Sequence, residues 1–82
     1  MTMTYLTSEL IGTKIMHGSP GLLSEETISK ITFDKNGVEI EFESECFTQM
    51  THEEYDYLLK HEELFYNEKM HGGESQIYFF DW

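Results

Sequence analysis

The sequence predicts an α+β fold: a small antiparallel β-sheet, built from a hairpin over 27–45 and a C-terminal strand over 75–81, with one α-helix over about 51–70 packed on one face. Three observations predict it. Val38, Ile40 and Phe42 alternate with Glu39, Glu41 and Glu43, a period of two that sends one set inward and the other outward in a strand. Asn36-Gly37 interrupts that run and the one before it, and this dipeptide is a strong short-range hairpin signal. Thr51 and Glu54 stand three apart ahead of apolar residues at helical spacing, the pattern of a capping box opening an amphipathic helix.

Residues 1–8 read as a loosely held arm and 9–82 as a single small domain. Over 9–18, Leu10, Ile11, Ile15 and Met16 follow no clean period, and Gly12 is poor in a helix interior, so the segment is read as a strand. Ser19-Pro20-Gly21 marks a turn. Leu22 and Leu23 then lead into Ser24-Glu25-Glu26, a short polar link with room for one helical turn.

With Asn36 and Gly37 as the turn residues, Lys35 faces Val38, Phe33 pairs with Ile40, and Ile31 pairs with Phe42, all on one face. The same register sets Asp34 against Glu39, Thr32 against Glu41 and Lys30 against Glu43. Like charges directly opposite cost about 0.2–1 kcal/mol. A surface built for stability alone would interleave more lysines, so the Asp34–Glu39 pairing argues that the acidic face has a use. Glu45 continues the row.

In the helix, Thr51 is the N-cap, and Glu53, Glu54 and Asp56 favour the positive end of the helix dipole. Tyr55, Leu58, Leu59, Phe65 and Tyr66 share a face and are expected in the core. Glu62 falls inside that stripe. Either the helix ends near Lys60, or Glu62 reaches out between Tyr55 and Tyr66. His71-Gly72-Gly73 reads as a helix stop. The final strand carries Ile77 and Phe79 on one face and Tyr78, Phe80 and Trp82 on the other, which is either an aromatic set available to a partner, a strand buried on both sides, or a flexible end.

The 82 residues include 16 acids against five lysines, no arginine and no alanine, for a formal net charge of −11. Nucleic-acid binding draws its affinity from lysine and arginine on phosphates, so direct binding to nucleic acid is disfavoured, as is an anionic membrane surface. A basic protein surface is the natural counterpart, although acidity also serves solubility alone. The single cysteine, Cys46, has no internal partner and no neighbouring cation, and is expected to be semi-buried and unreactive. Neither a signal peptide nor a membrane span is apparent, so the expected location is the cytoplasm.

No cofactor and no resident metal site are expected. His17, His52, His61 and His71 lack the four-apart spacing of paired helical ligands. No calcium loop, phosphate-binding glycine loop or nucleophile motif occurs, and an enzyme is not expected. A weak divalent-cation site on the acidic face is a third possibility beside the two binding readings below.

The leading functional expectation is an acidic protein-binding inhibitor that occludes the basic nucleic-acid-binding groove of a partner. Glu39, Glu41, Glu43 and Glu45, with Asp34, would imitate one edge of a nucleic-acid backbone at roughly 6.7 Å spacing, twice the strand rise. Glu53, Glu54, Asp56 and Glu63 extend the charge, and Tyr78, Phe80 and Trp82 supply buried contact. In size, acidity and lack of enzyme motifs, the chain resembles small phage-encoded inhibitors of host defence, including anti-CRISPR proteins. That resemblance implies a DNA mimic acting on a CRISPR nuclease effector with a basic channel. The alternative, from another class, is an oligomerising or adaptor module whose aromatic C-terminal strand pairs with its counterpart or another sheet edge.

Overall fold

The computed structural model describes residues 7–68 and 73–79. It is a six-stranded antiparallel sheet with one full helix. A four-residue helix α1 (Thr7–Leu10) precedes strands β1 (Lys14–Ser19), β2 (Leu22–Asp34), β3 (Gly37–Phe42) and β4 (Phe47–Met50). Helix α2 (His52–His61), β5 (Glu63–Glu68) and β6 (Gly73–Phe79) follow. The strand order is β4-β3-β2-β1-β6-β5. Most of the expected arm over 1–8 lies outside the described residues, and Thr7 and Ser8 belong to α1.

The expected Pro20-Gly21 turn joins β1 to β2, with Ser19 opposite Leu22. The polar link at Ser24-Glu25-Glu26 is instead part of β2. Each of its residues pairs with one on β1, and Lys14 reaches Glu25 at 3.5 Å. The strand expected over 9–18 begins later, at Lys14. The segment before it turns so that Leu10 enters the core at 1% exposure while Gly12 N–H donates to the Ile28 carbonyl.

β2 is the organising strand. Its first half pairs with β1 and its second half with β3, and the register shifts between Ile28 and Lys30. A bulge of this kind bends a strand and increases its twist. The bend lets one strand serve both halves of the sheet, which curls until its two outer strands, β4 and β5, touch. Ile15, Ile28, Ile40, Phe42, Leu58 and Ile77 fill the enclosed space, each no more than 2% exposed.

The β2–β3 register is a correction. Asp34 pairs with Gly37, Phe33 with Val38, Ile31 with Ile40, Thr32 with Glu39 and Lys30 with Glu41. The turn residues are therefore Lys35 and Asn36, two positions away from the expected pairing. A two-residue shift keeps every side chain on its face, so the apolar face survives while the Asp34–Glu39 opposition does not exist. Asp34 sets the turn, its Oδ1 accepting the Asn36 and Gly37 N–H groups at 2.7 and 3.0 Å. Gly37 is held in the strand by contact: a Cβ there would lie 2.3 Å from the Met50 carbonyl oxygen.

The helix over 51–70 is shorter than its full expected span, and of the two readings of Glu62 the one that ends the helix near Lys60 holds. Its start is as expected, with Thr51 and Glu54 forming both bonds of the capping box. Its end comes at Glu62, in the left-handed region at φ 63, with its N–H bonded to the Leu58 carbonyl. The chain then alternates as a strand. Leu64, Tyr66 and Glu68 turn inward, and Glu63, Phe65 and Asn67 outward. Pairing with β6 overrides the local preference for helix, as tertiary context commonly does. Phe65 is thus not a core residue, and Gly73 opens β6 rather than stopping a helix. His71 and Gly72 lie outside the described residues.

Replacing Gly37 with alanine is expected to lower stability by about 1–3 kcal/mol, from backbone strain and the clash with Met50. Replacing Thr51 with alanine should cost about 1 kcal/mol through loss of the cap. Urea titrations of both variants check the order.

Candidate partner-binding surface

Strand β3, paired on both edges, carries Glu39 and Glu41 outward, as its alternation dictates. Both are half-buried between neighbouring strands. Glu39 stands between Thr32 and Gln49, and its Oε1 accepts the Gln49 side-chain amide at 3.0 Å. Glu41 stands between Lys30 and Phe47. The strand ends at Phe42, so Glu43 and Glu45 are exposed turn residues rather than members of the same extended row. Glu43 N–H still donates to the Thr27 carbonyl, and Glu45 takes a left-handed conformation at φ 74. Cys46, expected to be semi-buried, is exposed in the same turn.

The other candidate acids lie in separate places. Asp34 and Glu39 border a cavity of about 160 Å³ at the β2–β3 turn, with Gln49 and Met50. His52 Nε2 donates to the Asp34 carbonyl at 2.7 Å, which ties the start of α2 to that turn. Glu54 and Glu63 border a second cavity of about 400 Å³ with Tyr57, Leu64 and Phe65. Glu54 Oε1 accepts the Thr51 N–H, and Glu63 Oε2 accepts the Gln76 amide. Glu53 and Asp56 are exposed on α2. The acidic residues thus form patches around the molecule instead of a single line.

Tyr78 is half-buried, opposite Met16 on one side and Glu63 on the other. β6 lies between β1 and β5, so from Gln76 to Phe79 both of its edges are already paired. Over those residues the strand has no free edge of the kind the adaptor reading needs. Phe80 and Trp82 lie outside the described residues.

Sequence reasoning missed the seam between β4 and β5. Glu68 is 3% exposed, and its carboxylate accepts the Thr48 hydroxyl and the Gln49 N–H, the latter at 3.2 Å. Thr48 has one hydroxyl proton, so its oxygen receives the Tyr66 hydroxyl, and Tyr66 in turn receives His17 Nε2–H at 3.1 Å. The polar chain therefore runs in one direction, from His17 to Glu68. The His17 ring also packs on Phe42, with centroids 5.2 Å apart. The Leu64-Tyr66-Glu68 alternation was the available signal, hidden by the helix expected over it.

Burial pushes the Tyr66 hydroxyl pKa well above its ordinary 10.0, with the negative charges of Glu68 and Glu54 adding to the rise. Among the described residues, no group of three or more His, Cys, Asp or Glu side chains could hold a metal ion. Among the same residues, no helix is long and apolar enough to cross a membrane. Comparison with family models, curated proteins and solved structures gives no match to this chain.

Two outcomes test the seam. Glu68→Ala leaves the Thr48 hydroxyl and Gln49 N–H without their acceptor and should destabilise the fold by about 2–4 kcal/mol in a urea titration, with Glu68→Gln costing less. Tyr66 gives the second. Its folded pKa is raised, so its contribution is fully present below pH 10.0, the unfolded value, and is lost as pH rises above it. Stability should fall between pH 10 and 11, and Tyr66→Phe should reduce that slope by up to about 1.4 kcal/mol per pH unit.

Proposed function

We propose that this protein is a non-enzymatic, acidic binding protein that occupies the basic surface of a partner, of the kind that otherwise holds nucleic acid. The observation that carries this reading is the charge imbalance, 16 acids to five lysines and a net charge of −11. It is joined to the placement of Glu39 and Glu41 on the outer face of a strand paired on both edges. A sheet holds such carboxylates at a fixed spacing of roughly 6.7 Å, whereas acids on a flexible tail have none. Exposed Glu43, Glu45, Glu53 and Asp56 spread the field, which accelerates encounter with a cationic surface and disfavours anionic competitors.

The mechanism is competitive occlusion. While the acidic protein sits in the basic groove, nucleic acid cannot enter. The resemblance to phage-encoded inhibitors of host defence narrows the partner to a nuclease effector with a basic channel. The corrected register removes the unfavourable Asp34–Glu39 pairing as an argument, and Lys30 opposite Glu41 tempers the local charge. The reading rests on net charge and the fixed display of carboxylates.

A pull-down from lysate of the source cells or their host, at low and high salt, tests the reading. The expected result is a basic nucleic-acid-binding protein that salt weakens and added duplex DNA displaces. Neutralising Glu39, Glu41, Glu43 and Glu45 to glutamine should weaken its capture at least about tenfold. A partner indifferent to DNA, salt and the four substitutions would refute occlusion.

A further inference from the structure

The cavity between α2 and β5 has a chemistry distinct from the acidic face of β3. Tyr57 is 51% exposed and Phe65 is 55% exposed, so two aromatic rings face solvent at one place. They line a space of about 400 Å³ with Leu64, Glu54 and Glu63. Leu64 turns its side chain inward and, at 5% exposed, adds only a narrow apolar strip at the base. Pockets that receive small ligands span about 300–1,000 Å³, so this one is large enough for a side chain and part of its backbone.

Each component narrows the occupant. Aromatic walls and an apolar base favour a hydrocarbon stem, and the carboxylates of Glu54 and Glu63 favour a cation. Glu54 uses Oε1 and Glu63 uses Oε2 for the bonds described above, which leaves their other oxygens outside those bonds. The His61 ring lies 4.1 Å from the Tyr57 ring, centroid to centroid, and covers part of one face. A flat cation that stacks on aromatic rings while donating to carboxylates is a guanidinium, and its three-carbon stem suits the apolar base. Lysine offers a compact, strongly hydrated charge that stacks less well.

We propose that this cavity receives an arginine side chain from the basic partner, with its guanidinium against Tyr57 and Phe65 and its N–H groups directed at Glu54 and Glu63. This inference rests on the proposed function and adds a specific anchor to it. Charge steers the encounter, and the arginine contact fixes position.

Titrating the isotopically labelled full chain with an acetylated, amidated penta-arginine peptide tests the anchor by amide chemical shifts, with penta-lysine in parallel. The expected result is movement centred on Tyr57, Leu64 and Phe65, with weaker binding of penta-lysine. A Tyr57→Leu/Phe65→Leu double variant, altered only at exposed rings, should bind about tenfold more weakly. The Glu39→Gln/Glu41→Gln variant should retain the shifts at the cavity. Equal binding of the two peptides would overturn the arginine assignment. Shifts confined to Glu39, Glu41 and their neighbours would overturn the cavity but leave the basic-partner reading standing, whereas no binding of either peptide would count against both. If these signals move with protein concentration alone, a second copy covers the cavity and the proposal fails.

Discussion

Glu68 closes the sheet. A barrel completed by backbone pairing has no edge, but here the two outer strands meet without a ladder between them. One carboxylate bridges them through the Thr48 hydroxyl and the Gln49 N–H. A buried carboxylate is costly unless hydrogen-bonded, and these donors sit where β4 presents them. Apolar contacts alone would tolerate a strand sliding by two residues. A carboxylate that needs two directional donors does not. The seam therefore sets how far the sheet curls, and with it the enclosure of Ile15, Phe42 and Ile77.

The same closure decides what the surface looks like. Because the sheet wraps, the outer face of β3 and the cavity beside β5 belong to a curved exterior rather than to one flat acidic plane. Glu39 and Glu41 stand among Thr32, Lys30, Gln49 and Phe47. Glu54 and Glu63 stand beside exposed aromatic rings. A cationic partner would meet charge in the first place and charge with aromatic contact in the second. Charge governs the rate and register of association, and desolvated aromatic anchors commonly supply more of the affinity.

Features set by neighbouring residues were legible in the chain. Thr51 and Glu54 announce the start of α2 because a capping box is closed within four residues. Pro20-Gly21 announces the first turn. The alternation of Val38, Ile40 and Phe42 with Glu39 and Glu41 announces which face of β3 is buried, and this survived a register error because the shift was even. The candidate site was legible only in part. Glu39 and Glu41 were placed on the outer face as expected, while Glu43 and Glu45 fell in a turn, Tyr57 drew no assignment, and Phe65 was expected in the core.

By itself, then, the sequence determined the acidity, the α+β class, the helix start and the inward set of β3. Each follows from composition or from contacts a few residues apart. Only the tertiary structure decided that α2 stops at His61, that 63–68 becomes a strand, that β6 lies inside the sheet, and that Glu68 joins its two edges. Those outcomes depend on residues such as Thr48 and Glu68, 20 positions apart. A strand's stability comes from partners across the sheet, and no local pattern in the chain encodes which distant segment will supply them.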